Sequence, residues 1–217
     1  QAASVRAVLR RRRGQLERSV GPAPCLGAHR IAARYNSPMA TLTGQLMTVE
    51  EFRKLPEDSG PVYHELRHGE VIAVTRPKLK HHLIQSRLRD LLKSLAPAGS
   101  FVEYEAAFRP APEHELRVAD VAYLSPERWA QTDPEDNLAG APDIVIEVLS
   151  PSNTASEIYD KEQLCLATGA KEFWVVDRDR LQVRVSTPDS RTITYSTGQQ
   201  IPLPLFNATL PVDSIFA

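Results

Sequence analysis

Apolar residues along this chain fall into two kinds of pattern, period two and period near 3.6, and their succession predicts a layered α/β domain. In MTVEEFRKL, Thr48 precedes a short helical stretch and Glu51 stands three residues on, the spacing of a capping box. YHELRHGEVIAV alternates around His68-Gly69 and reads as a hairpin. HHLIQSRLRDLLKSL places Leu83, Leu88, Leu91, Leu92 and Leu95 at helical spacing and ends before Pro97 and Gly99. Three strands are predicted next, in FVEYEAAF, LRVADVAYL and DIVIEVL. A helix around ASEIYDKEQLCLAT stops at Gly169, and EFWVVD and QVRVST give two further strands. This order implies an α/β fold with a mixed central sheet flanked by helices. The Pro-rich tail (Pro202, Pro204, Pro211) is expected to run over the surface.

Charge divides the chain where the patterning does. Eight arginines against one glutamate before Met39 give that segment +7, so a net charge of −1 leaves −8 for the rest. Residues 1–38 lack a sustained apolar face and are expected to be a basic extension outside the fold, with 39–217 forming the domain. The extension reads as a disordered tail or an over-extended start upstream of Met39, as an organelle transit peptide, or as a nucleic-acid-binding arm. The acidic body argues against a general nucleic-acid coat protein, whose affinity comes from many Lys and Arg. It leaves room for an enzyme with a local basic cleft. Cys25 and Cys165 show no CxxC spacing, which disfavours a disulfide framework and a structural zinc site. No apolar run approaches the roughly 18 to 20 residues that cross a bilayer. No membrane partner is therefore expected; the expected location is the cytoplasm, with organelle targeting by residues 1–38 as the alternative.

The candidate chemistry lies in polar residues that interrupt apolar strands. In GAPDIVIEVLSPS a nearly continuous apolar run suits a central strand covered on both faces, and Glu147 breaks it. A buried carboxylate is costly unless it is paired or holds a cation, so Glu147 needs a partner: an ion, a salt bridge, or solvent at a strand end. In LRVADVAYL, alternation puts Val118, Asp120, Ala122 and Leu124 on one face, with Asp120 among apolar neighbours. If the two strands pair, both carboxylates can converge on one hard cation, and Mg²⁺ suits one or two carboxylates plus waters. Lys161, on the helix after the Glu147 strand, could reach back over the strand end. Its plainer reading is an exposed lysine paired with Glu157 four residues earlier. Glu65 in the hairpin is the weakest of the four candidates.

The segments YHELRHGE, HHLIQSRLRDLL, RVADV, GAPDIVIEVLSPS, YDK and GAKEFWVVD resemble, in order, the Uma family of restriction endonucleases, within the PD-(D/E)XK nuclease superfamily. The resemblance implies a restriction-endonuclease-like fold and an Mg²⁺-dependent (or Mn²⁺-dependent) endonuclease that hydrolyses phosphodiester bonds in DNA. It points to Asp120 and Glu147 as metal ligands, to Lys161 as the lysine that assists the attacking water, and to Glu65 as the upstream acid. His81 matches a recurring histidine without an assigned role. Leu149 stands where the lysine usually follows the glutamate, Ala119 replaces a proline before the aspartate, and Cys165 replaces a common tyrosine. Lys78, Lys80, His81, His82, Arg87 and Arg89 could line the approach to DNA, or form a solvated helix face. A homodimer is open, because many nucleases cut both strands as dimers. The competing function is a non-catalytic nucleic-acid- or protein-binding module on the same scaffold. A serine hydrolase is disfavoured by the lack of GxSxG.

Overall fold

The structure is a computed structural model that describes residues 46–56, 58 and 60–217. The basic extension of residues 1–38 lies outside the described residues. Helix α1 (Val49–Phe52) begins with the predicted capping box: the Thr48 hydroxyl accepts from Glu51 N–H, and the Glu51 carboxylate returns to Thr48 N–H. Strands β1 (Val62–Arg67) and β2 (Glu70–Thr75) pair antiparallel, closed by His68 and Gly69 at φ 50° and 76°. Positive φ at both central residues is what a tight type I′ hairpin turn demands.

Helix α2 (Leu79–Leu95) follows, then β3 (Phe101–Arg109), β4 (Arg117–Leu124), a single turn of helix α3 (Pro126–Trp129) and the two-residue strand β5 (Leu138–Ala139). The α2 face is made by Ile84, Leu88 and Leu92; Leu83, expected among them, is exposed. Leu83 lies five positions before Leu88, which carries it off the stripe that Ile84 occupies at i−4. Strand β6 (Ile144–Val148), helix α4 (Ala155–Ala167), β7 (Glu172–Asp177), β8 (Gln182–Ser186) and β9 (Thr192–Ser196) complete the main sheet. Its strand order is β5-β3-β4-β6-β7-β8-β9. The β6/β7 and β3/β5 pairs are parallel and the others antiparallel, so the sheet is mixed as predicted. A parallel pair needs a crossover, which α4 supplies between β6 and β7.

Helices α2 and α4 cover opposite faces of this sheet. Ile84, Leu88 and Leu92 pack with Val121, Ile146, Val148 and Trp174 on one face; Ile158 and Cys165 pack with Ala122, Val145 and Phe173 on the other. The strand β6 is buried along its whole length, the condition for its apolar run.

The Pro-rich tail does not simply cross the surface. It forms a hairpin of β10 (Gln200–Leu203) and β11 (Ala208–Pro211) and a closing helix α5 (Val212–Phe216). Pro202, Pro204 and Pro211 are exposed, while Ile201, Leu203, Leu210, Val212 and Ile215 enter the α2-side core. The prolines occupy the outward half of a period-two pattern, where the missing N–H is tolerated.

Candidate functional site

The site begins at an irregularity in β4. Register pairs Tyr104 with Val121 and Ala106 with Ala119, but skips Glu105 and Asp120, and Glu105 has φ 52°. Strict alternation is lost there. Ala119 and Ala122 pack on the α4 side, whereas Asp120 and Val121 both turn toward α2. The expectation that Val118, Asp120, Ala122 and Leu124 share a face therefore fails at Asp120, because a local distortion of the β3–β4 ladder re-aims it.

On its other side β4 pairs with β6 through Val121 and Ile146, one residue short of Asp120 and Glu147. Beyond that point the ladder gives way to a side chain: Asp120 Oδ2 accepts the N–H of Val148 at 2.7 Å. Asp120 thus lies against the backbone of the residue after Glu147. Its other oxygen, Oδ1, accepts from Gln85 Nε2 at 2.8 Å, and His81 Nε2 is 3.1 Å from Oδ2. Burial disfavours charge on His81, but its contact with Asp120 and that carboxylate's charge outweigh it and raise the imidazole pKa.

Glu147 is reached from the opposite face. Lys161 Nζ lies 2.7 Å from Glu147 Oε1, and both side chains are about nine-tenths buried. The same ammonium donates to Val118 O at 2.7 Å. Lys161 is therefore not the exposed partner of Glu157; that glutamate closes the Thr154 capping box and meets Arg67. Burial pushes the Glu147 carboxyl up to about 7 against the pull of Lys161, with Asp120 adding to the rise. Burial also opposes charge on Lys161, yet Glu147 and then Glu65 hold its pKa above the ordinary lysine value.

Glu65, fully buried on β1, accepts from Val118 N–H at 3.0 Å and from Arg67 Nε at 2.9 Å. The backbone of one residue thus links two candidates: Val118 gives its N–H to Glu65 and its carbonyl to Lys161. Tyr63, two residues before Glu65, has its phenol pKa raised by burial and then by Glu65, Glu147 and Asp120. Cys165, one turn after Lys161, is a free thiol in the apolar cluster, and burial pushes it up to about 12. It is inert packing where the resemblance calls for tyrosine.

The sequence reading missed Gln85 and Tyr63. A glutamine on the apolar stripe of α2 was the available signal for the first. Tyr63 in an alternating hairpin gave no signal.

The two acids take partners from opposite sides of the sheet, Asp120 from Gln85 on α2 and Glu147 from Lys161 on α4. Both are oxygen donors of the kind a hard divalent cation takes, and Glu147 Oε1 accepts no well-aligned hydrogen bond despite the nearby ammonium. Among the described residues, no set of three or more His, Cys, Asp or Glu side chains is gathered in ligand geometry. The arrangement is one of two carboxylates, with Glu65 engaged by its own partners.

Of the residues expected to line an approach to DNA, Lys78 and Lys80 are exposed. His81 turns to Asp120 and His82 to Gln85; Arg87 donates to Ile215 O, and Arg89 engages Asp90 and lies over Tyr104. Those four are committed within the fold. No helix of the described residues is long and apolar enough to cross a membrane.

A family model described as "Uma2: Putative restriction endonuclease" matches residues 49–213. The chain is also similar to a crystal structure described as a putative nuclease belonging to DUF820, from Anabaena variabilis. The two share 26% identity at a TM-score of 0.67, over 78% of this chain and 97% of that one. The shared architecture is the restriction-endonuclease-like mixed sheet with flanking helices. No curated protein matches.

Proposed function

The chain belongs to the Uma2 family, described as putative restriction endonucleases, and on that premise we propose that it is an Mg²⁺-dependent endonuclease hydrolysing phosphodiester bonds in DNA. The observation that carries the reading is the fork between β4 and β6. There Asp120 abuts the backbone beside Glu147, and a buried lysine stands 2.7 Å from the glutamate.

In this reading Asp120 and Glu147 hold Mg²⁺, or Mn²⁺ in its place. The bound ion supplies Lewis acidity toward a phosphodiester oxygen. Lys161 helps to orient or deprotonate the attacking water and offsets charge developing on the phosphate. Val118 O fixes one of its three N–H groups and Glu147 Oε1 lies 2.7 Å from the same nitrogen, which leaves one N–H for substrate or water. Glu65 acts at one remove, pinning Val118 and so the carbonyl that aims Lys161. Lys78 and Lys80 meet the DNA backbone.

The test is nicking of supercoiled plasmid by the full chain with Mg²⁺ or Mn²⁺, beside folded Glu147→Gln and Asp120→Asn. Metal-dependent nicking that both substitutions abolish is expected. Nicking that survives them, or that ignores chelator, overturns the assignment. A folded protein that binds the metal and leaves plasmid intact would favour a non-catalytic binding module.

A further inference from the structure

Gln85 is fully buried on an α2 face otherwise made by Ile84, Leu88 and Leu92. A buried amide is unfavourable unless both of its ends are bonded. Here both are: Nε2 donates to Asp120 Oδ1 at 2.8 Å, and Oε1 lies 3.3 Å from His82 Nδ1. The His82 ring in turn packs edge-on against Tyr104, with centroids 5.1 Å apart. The amide is therefore held with its oxygen toward His82 and its nitrogen toward the acid.

Asp120 is held at three points: Gln85 Nε2 on Oδ1, and Val148 N–H and His81 Nε2 on Oδ2. Gln85 is the neutral side-chain donor among them. An arginine or lysine at position 85 could make the same hydrogen bond, but would cancel the negative charge that a cation needs. An amide orients the carboxylate and leaves its charge intact.

We propose that Gln85, backed by His82, is a positioning residue that sets Asp120 for cation binding. The inference rests on the two-carboxylate reading above and adds the residue that makes one of those acids competent.

The test is Mn²⁺ binding to the full chain, followed by electron paramagnetic resonance, with kcat and KM for plasmid nicking measured in parallel. The proteins are wild type, Gln85→Leu, Gln85→Lys, His82→Ala and Glu147→Gln, each checked by circular dichroism. Gln85→Leu should bind Mn²⁺ about 10- to 100-fold more weakly, the usual loss when a ligand's supporting partner is removed. Its kcat should recover as Mn²⁺ is raised, with KM for DNA unchanged. Gln85→Lys keeps a donor but adds charge and should lose at least as much. A purely structural glutamine would let a folded Gln85→Leu bind Mn²⁺ with wild-type affinity. If Gln85→Leu does not fold, His82→Ala supplies the comparison, with a severalfold loss expected. Wild-type affinity in the folded position-85 variants, or in His82→Ala where Gln85→Leu does not fold, overturns the proposal. If Glu147→Gln still abolishes binding in that case, the two-carboxylate site survives. Failure of wild type to bind Mn²⁺ overturns both together.

Discussion

Lys161 Nζ and Glu147 Oε1 lie 2.7 Å apart with both side chains almost wholly removed from water. The pair joins α4 to the central strand β6, and each member suffers if the other is lost. Lys161→Met would leave a buried carboxylate without its cation. Breaking such a pair costs about 3–5 kcal/mol. The loss should depend on pH, because Glu147 can escape by taking a proton. Its pKa in the folded chain is already raised from 4.5 to about 7. Without Lys161 it rises further. The folded state then keeps a proton that the unfolded state has released, so stability falls as pH climbs above 4.5. Urea unfolding should show a much larger deficit for Lys161→Met at pH 8 than at pH 5. Equal deficits would mean that the lysine matters for packing alone.

Cation binding should appear as stability. A ligand that binds only the folded state adds about 2.7 kcal/mol at 100 times its Kd. For a domain of this size that corresponds to a rise in Tm of about 5–10 °C. Thermal unfolding with millimolar Mn²⁺ should show the rise, chelator should reverse it, and Glu147→Gln should not show it. A rise of the same size in Glu147→Gln would place the ion elsewhere.

The order of elements was legible in the sequence because each carries its own local signal. Thr48 and Glu51 announce a capping box, His68-Gly69 a turn, and the run of β6 a strand buried on both faces. What escaped depended on contacts between distant parts. The tail looked like surface because its prolines are conspicuous, yet Ile201, Leu203 and Leu210 complete the core under α2. At the site, Asp120 and Glu147 were visible as acids among apolar neighbours. The turning of Asp120 toward α2 was not, since it follows from Glu105 at φ 52° on the adjoining strand. Nor was the partner of Lys161: sequence spacing offers Glu157, while the fold gives Glu147.

Glu172 offers a test of a buried acid remote from the proposed chemistry. It is nearly inaccessible, and Trp174 Nε1 donates to it at 2.8 Å. Burial raises its pKa above 4.5, opposed by that single hydrogen bond. The folded state therefore holds the proton more tightly than the unfolded one, and stability drops as pH rises above 4.5 until the folded group ionises. Glu172→Gln keeps an acceptor for Trp174 and cannot ionise. It should be more stable than wild type at pH 8, by on the order of 1 kcal/mol, with the advantage gone near pH 4. Trp174 fluorescence during urea unfolding measures both.

Asp143, in the loop before β6, has the opposite electrostatics. Its carboxylate is fully buried, accepts from Ser125 N–H at 2.8 Å, and lies 3.1 Å from Lys171 Nζ and 3.3 Å from Arg128 Nη1. Burial alone would raise its pKa, but the Ser125 hydrogen bond and the two cations win and lower it below 3.8. Its stabilisation is present above 3.8 and lost as pH falls through the lower folded value. Asp143→Ala should cost about 1–3 kcal/mol at pH 7, chiefly from the Ser125 N–H left without its acceptor, with the gap narrowing in strong acid. A loss below about 1 kcal/mol, the range of exposed ion pairs, would mean that the contacts are too loose to count.

Two glycines separate backbone strain from contact. Gly60 and Gly69 both have positive φ, at 83° and 76°. A Cβ on Gly60 would meet nothing within 4 Å, so Gly60→Ala should cost only the left-handed backbone, about 1 kcal/mol. A Cβ on Gly69 would stand 2.5 Å from Leu46 Cβ and 3.0 Å from Leu46 Cα. Those atoms cannot swing aside as a side-chain tip can. Met47 N–H also donates to Gly69 O at 2.9 Å, so the segment leading into α1 rests on this turn. Gly69→Ala must therefore move that segment as well as strain the turn, and should cost about 2 kcal/mol more than Gly60→Ala. Urea unfolding of the two variants measures the difference. Equal losses would show that the segment before α1 yields freely, and that only the turn, not its contact with Leu46, requires glycine at position 69.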